Sequence, residues 1–268
     1  MLRTFVATAL LAVCSTVASA QSAAPLRVAT PDALRGRSYG VTFSQVVAFQ
    51  GDYHGAEMTR SVQLRVTLNP VAGTRGAVSV RVDSARGAAS NPHAREVLDL
   101  RPMMGTSLRA TYADSGRPVS WAEASPDISF GEIGGSIPLT AMLEPMFPAL
   151  PARAVRANDT WERTWTQPAL IGQQEVRVAM RTRFRLERIE TVDGAQVARV
   201  RFTSSPTAGA AAGATSTGTM LVGLDGVLRE LRIEETHAGD DWDFNGNRLS
   251  YVQRDEIVIS LRAPTSSR

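Results

Sequence analysis

The chain has 268 residues, with 29 basic against 26 acidic side chains, a net charge of +3 and 43% hydrophobic residues. Every basic side chain is arginine, so almost nothing titrates between histidine and tyrosine, and a small positive excess drags the pI up to about 9.6. Acids are interleaved with the arginines throughout, which argues against a nucleic-acid surface, and the single cysteine, Cys14, excludes an internal disulfide framework.

Residues 1–20 read as a cleavable signal peptide: Arg3 forms the positive start, Phe5 to Val13 the apolar run, and Ala18-Ser19-Ala20 the small-x-small cleavage pattern. The apolar run is shorter than the ~20 residues of a membrane span, and no later segment approaches that length. The expectation is export to the periplasm or the exterior, with no transmembrane segment in the mature chain. Cys14 lies in a partial lipobox, but Val13 occupies the position where a small residue is needed, so anchoring through Cys14 is not expected. Without Cys14 the mature chain has no thiol, and its stability rests on its core.

Residues 21–30 read as a linker, and from residue 31 period-two alternation dominates. Val62 to Leu68, Val78 to Val82, Val176 to Leu186 and Val197 to Phe202 place apolar side chains on one face and arginine or other polar side chains on the other. Such alternation predicts antiparallel strands with one buried face. Turn signals separate them at Asn69-Pro70, Ala72-Gly73, Asp83-Ser84, Asp193-Gly194, Asp225-Gly226 and Asn245-Gly246-Asn247. The two Asp-Gly pairs suit two-residue hairpins. Leu108 to Glu123 and Leu221 to Glu234 each read strand, Asp turn, strand, and each follows a longer hairpin. The pattern predicts a mostly β protein of antiparallel meanders, a duplicated half-barrel-like unit with one short central helix. The first half spans 31–135, the connecting helix 136–151 and the second half 152–264.

In the helix, Ser136 is the expected cap, Pro138 sits in the first turn, and Leu139 to Phe147 form the body. Pro145 limits its regularity, and Pro148 and Pro151 end it. Met142, Leu143, Met146 and Phe147 fall at helical spacing. Ser204 to Ser216, rich in Gly, Ala, Ser and Thr, reads as a loop joining two strands of the second half.

Leu150-Pro151, Val155 and Asn158-Asp159-Thr160-Trp161 resemble the Gly-Asp-x-Trp strand opening of several uncharacterised secreted bacterial β families. Asn158 replaces the usual glycine and also accepts a left-handed backbone. The stretch Leu224 to Ile233 is similar to the meanders of Lol-type lipoprotein carriers. That resemblance implies a half-open barrel lidded by helices and holding acyl chains.

Catalytic signatures are poor. Asp114-Ser115-Gly116 matches an aspartic-protease triplet, but Leu224-Asp225-Gly226 lacks the partner hydroxyl and both aspartates fit turns. Asp241, Asp243 and Asn245 occupy calcium-loop positions, whereas the twelfth position is Val252 instead of an acid. His54, His93 and His237 show no ligand spacing, and no Gly-x-Ser-x-Gly elbow accompanies His237. The reading is a non-enzymatic protein with no cofactor, no metal and no nucleic-acid partner. It binds a lipid or other apolar molecule through Met142, Met146 and Phe147. The alternative is an envelope scaffold that engages a protein partner through its sheet edges.

Overall fold

The computed structural model describes residues 23, 25–51, 55–74, 76–112, 119–131, 135–151, 153–171, 174–207, 215–244 and 247–263, with the side chains of 166–177 and 240–248 outside that description. The strands are β1 (Arg37–Phe49), β2 (Glu57–Pro70), β3 (Ala77–Ser90), β4 (Arg95–Val97), β5 (Ser107–Tyr112), β6 (Val119–Trp121) and β7 (Asp127–Ser129). They continue as β8 (Ser136–Pro138), β9 (Thr160–Ile171), β10 (Gln174–Val192), β11 (Ala195–Pro206), β12 (Thr215–Gly223), β13 (Leu228–Phe244) and β14 (Asn247–Leu261). Helix α1 is Leu139–Leu143, and short 3-10 turns occupy Pro31–Leu34, Arg101–Met103 and Glu144–Met146.

Strand alternation has the expected cause. In β2, Val62, Leu64, Val66 and Leu68 are buried, while Gln63 and Arg65 between them are exposed. Successive side chains leave opposite faces of a strand, so a period of two gives one dry and one wet face. Twelve strands form one antiparallel sheet in the order β6-β5-β3-β2-β1-β14-β13-β12-β11-β10-β9, with β4 beside β3; β7 and β8 form a separate hairpin. The strand sequence therefore starts at the centre with β1, walks to the β6 edge, crosses to the β9 edge and walks back to β14. The seam at the centre pairs β1 with β14 from Tyr39↔Leu261 to Phe49↔Tyr251. The sheet is open, not a closed barrel.

The described parts of the crossing segment between β6 and β9 pack on the dry face, with Ile128, Phe130, Leu139, Met142, Leu150 and Val155 in the core. Helix α1 touches β1, and the turn after it touches β13. Leu26 and Ala29 of the N-terminal segment are buried in the same core. The Tyr112 hydroxyl donates to the Ala29 carbonyl at 2.8 Å, and burial pushes its pKa up to about 12. Tyr39 likewise donates to the Leu228 carbonyl at 3.1 Å, and burial raises its pKa too.

Several local expectations need correction. The helix predicted from Ser136 to Phe147 is one five-residue turn of α-helix followed by a 3-10 turn. Ser136 does not cap it. Ser136 pairs with Ser129 in the β7–β8 hairpin, and Pro138 is the N-cap, with the Ser125 hydroxyl accepting from the Thr140 amide at 3.0 Å. Ser204 and Ser216 lie in β11 and β12, so the connection between them is shorter than expected. Asp83 and Ser84 are not a turn: they sit in β3 at a bulge where the register against β2 shifts. Asp193-Gly194 is the expected two-residue hairpin, with φ 49° and 77°. Asp225-Gly226 belongs to a longer loop in which the Gly226 amide donates to the Gly223 carbonyl. Residues 1–20 with Cys14, His54, Asp114-Ser115-Gly116 and Asn245-Gly246 lie outside the described residues.

Candidate functional site

The dry face and the segment across it form the candidate site. Met142 is fully buried, and Met146 and Phe147 are 5% and 2% exposed, all within the main core. Phe147 packs at 5.0 Å from Tyr112 of β5 and edge-on at 6.2 Å from Trp121 of β6, which ties the segment to one sheet edge. At the other edge, the Trp161 indole N–H donates to the Ala149 carbonyl at 3.2 Å, and Arg163 donates to the Leu150 carbonyl at 2.9 Å. Both donors are on β9. The space under the segment is filled by these side chains, so a guest would have to displace them.

The Asn158–Trp161 opening of β9 builds this second anchor. Asn158 adopts φ 71°, its side-chain oxygen accepts from Arg185 at 2.6 Å, and the Asp159 carboxylate accepts from the Arg156 amide at 3.0 Å. The amide bond and nearby guanidinium of Arg153 hold Asp159 below the usual carboxylate range. Trp161 then stacks on Phe184 at 5.3 Å and 7°, with Phe202 5.6 Å beyond.

Next to this apolar layer lies a feature that the strand patterns alone did not reveal. One cross-strand row on the dry face runs Glu96, Ala89, Arg60, Gln45, Asp255, Glu235, Ser216, Ser204, Thr182, Arg163, one residue from each of ten strands. Gln45, Thr182, Ser204 and Ser216 are all buried. Arg60 donates to the Gln45 side-chain oxygen at 2.7 Å and lies 5.1 Å from the centre of the Phe130 ring. Thr182 and Ser204 share a 2.6 Å hydroxyl bond. Asp255 and Glu235 face each other directly, like charges in a half-buried setting. Burial raises the pKa of both carboxyls; Asp255 adds to the rise at Glu235, whereas a 2.8 Å bond from Gln253 and attraction by Arg60 oppose it at Asp255. Beyond the row, Val47, Phe49 and Tyr251 form a second, smaller apolar cluster.

His237 lies on β13 two residues past Glu235, with Tyr251 at 5.7 Å; His93 is exposed in a loop. His93 and His237 are thus not brought together, and His54 lies outside the described residues. Among the described residues no group of three or more His, Cys, Asp or Glu side chains is placed to hold a metal, and no helix is long and apolar enough to cross a membrane. Sequence reasoning picked out Met142, Met146 and Phe147 from helical spacing but missed the polar row. The signal was available only as single polar interruptions, such as Gln45 among Phe43, Val47 and Phe49.

No family model matches the chain, and no curated protein does. Among solved structures it is similar to lipovitellin, in a structure concerned with lipid–protein interactions, at 11% identity and a TM-score of 0.50. The match covers 87% of this chain and 26% of that one, so the chain spans about a quarter of lipovitellin's length. A DUF1329 family protein from Desulfovibrio piger aligns over 89% of this chain and 90% of its own at 12% identity, with a TM-score of 0.20 that carries no structural weight. What the comparisons establish is a likeness in fold to lipovitellin.

Proposed function

We propose that the protein is an exported, non-enzymatic binder of a lipid or other apolar molecule, taken up on the dry face with Met142, Met146 and Phe147 lining its apolar part. One observation carries this reading: the dry face is layered, an apolar layer closed by a thin crossing segment and bounded by a buried polar row. A core built for stability alone would not place two carboxylates opposite each other there, because like charges directly across a sheet are destabilising. Local rules are broken mainly at functional or strained sites. An amphipathic guest matches both layers, its chain replacing the methionines and its polar end meeting Arg60, Gln45, Asp255 and Glu235. Methionine suits the role, since its unbranched thioether side chain repacks around irregular shapes. The fold likeness to lipovitellin, whose solved structure concerns lipid–protein interactions, supports the same reading.

Native mass spectrometry of protein purified from its own host, followed by organic extraction, tests it. The expected result is a mass above that of the bare chain and an apolar species in the extract. A bare mass with an empty extract would sink the reading. A second reading, a scaffold, draws on β9, a twelve-residue edge strand with one proline. It expects a stoichiometric protein partner along that edge and no extractable apolar species.

A further inference from the structure

We propose that the wet face carries an oxyanion site of the phosphate class, in a groove centred on Arg65 and Arg262. The proposal rests on the opposite face of the sheet and is independent of the apolar-ligand reading.

The groove follows from side-chain size. Thr67 pairs with Ser38 on one side and Arg81 on the other, and the Arg262 amide donates to the Ser38 carbonyl at 2.8 Å. This places two arginines at the ends of a row with only Thr67 and Ser38 between them. One step along, Arg65 pairs with Gly40 and Ser84. Small residues thus make the floor and arginines make the walls. The result is a groove of about 920 Å³ among Arg37, Ser38, Arg65, Arg81, Asp83 and Arg262. A second of about 440 Å³ adjoins it, sharing Arg65 and Arg262 and adding Arg86.

Gly40 has a specific part. A Cβ there would come within 2.7 Å of the Arg262 Nε and Nη2 atoms. The missing side chain lets the Nε–Nη2 edge of the Arg262 guanidinium reach down to the strand at Gly40, which is buried.

The charges are unevenly matched. Arg81 is paired with Asp83 at 2.8 Å, and Thr67 also donates to Asp83. Arg86 donates to the Gln63 side-chain oxygen at 2.7 Å, and Arg37 donates to the Ala33 carbonyl at 3.2 Å. Arg65 and Arg262 have no carboxylate partner among the described residues. On the wet face of β10 and β11, by contrast, Arg201 is paired with Glu187 at 3.0 Å and Arg183 lies 4.0 Å from Glu162. Guanidinium groups present forked N–H donors that match the oxygens of phosphate better than a point charge does. Free phosphate and a phospholipid headgroup share that chemistry.

The test uses the full chain at low ionic strength, where exposed charges are least screened. Isothermal titration with inorganic phosphate forms one arm, and co-sedimentation with phosphatidylglycerol or phosphatidylcholine vesicles the other. The Arg65→Gln/Arg262→Gln double variant is compared with Arg183→Gln/Arg201→Gln, which removes the same charge from the same face. Saturable phosphate binding, weakened at least tenfold in the first variant and unchanged in the second, supports the site and identifies free phosphate as sufficient. No phosphate response, with binding to phosphatidylglycerol but not phosphatidylcholine vesicles lost only in the first variant, supports the site and assigns the oxyanion to a headgroup. Absence of binding in both arms, or equal behaviour of the two double variants, overturns the proposal.

Discussion

Gly194 and Gly226 follow an aspartate in the same dipeptide and have nearly the same backbone, φ 77° and 82°, yet their surroundings differ. A Cβ added at Gly194 meets nothing within 4 Å, whereas at Gly226 it would lie 2.2 Å from the Arg27 carbonyl oxygen and 2.4 Å from the Ala29 amide. Gly194→Ala is expected to cost about 1–2 kcal/mol, the left-handed strain alone. Gly226→Ala adds a backbone collision that must lift the N-terminal segment, and with it the Tyr112–Ala29 bond, for a total of about 3 kcal/mol or more. Urea denaturation of the two variants measures the difference; equal losses would mean that the segment is not fixed over the turn. A second residue-level expectation concerns Glu235. Its folded pKa is raised, so the folded chain holds a proton that the unfolded chain has released above a pH of about 4. Stability therefore falls as pH rises from there through the folded pKa. Glu235→Gln should raise Tm by about 2–4 °C at pH 8 and leave it unchanged at pH 4. A variant that is less stable at pH 8 would show that the carboxylate is fully compensated by its neighbours. Gly194 and Gly226 stand out alike as turn residues, and nothing local tells them apart. Alternation assigns each strand a wet and a dry face, but which residues of distant segments meet, at Gly226 as at Glu235, is fixed only by the register and the tertiary fold.

At the scale of elements, the crossing segment shows where sequence patterns reach and where they stop. Met142, Leu143, Met146 and Phe147 all lie in the core, although the helix expected through Phe147 is α-helical only to Leu143 and continues as a 3-10 turn. Ser136 is used by a strand pair through Ile128↔Ile137, and Pro145 has no amide to continue an α-helix. Tertiary contact overrode capping chemistry, which is a local signal. Ser204 to Ser216 failed for the converse reason. Small hydroxyl residues read as a loop, but paired hydroxyls across neighbouring strands, as at Thr182–Ser204, satisfy each other in a buried sheet. The strands themselves were legible because their one-faced alternation is long. Phe147 is expected to hold the segment down: Phe147→Ala removes the contacts to Tyr112 and Trp121 and should cost about 3–5 kcal/mol. Met104→Ala, at a position 48% exposed, serves as the control and should stay within about 0.5 kcal/mol. Chemical denaturation reads both; a Phe147→Ala loss as small as the control's would mean that the segment is only loosely seated.

For the whole molecule, the consequence of the strand order is that the first and last strands meet in the middle of the sheet. β14 is flanked by β1 and β13, so the seam joins residues more than 200 positions apart, and its dry side carries Val41 against Ile259, both fully buried. The crossing segment makes a second bridge, anchored on β5 and β6 at one edge and on β9 at the other. Two meanders linked both at the seam and across the dry face should unfold as one unit, because neither can bury its apolar face without the other. Ile259→Ala tests this at the seam. Removing a fully buried isoleucine should cost about 2–5 kcal/mol, and the loss should displace the entire transition. Urea curves followed by circular dichroism report all the strands. Tryptophan fluorescence weights Trp121 beside Phe147 at one edge and Trp161 in its stack with Phe184 at the other. The two probes should coincide in the wild type and shift together in Ile259→Ala. Separation of the curves in the variant would mean that each meander keeps a stable fold of its own and that the seam joins them without coupling them.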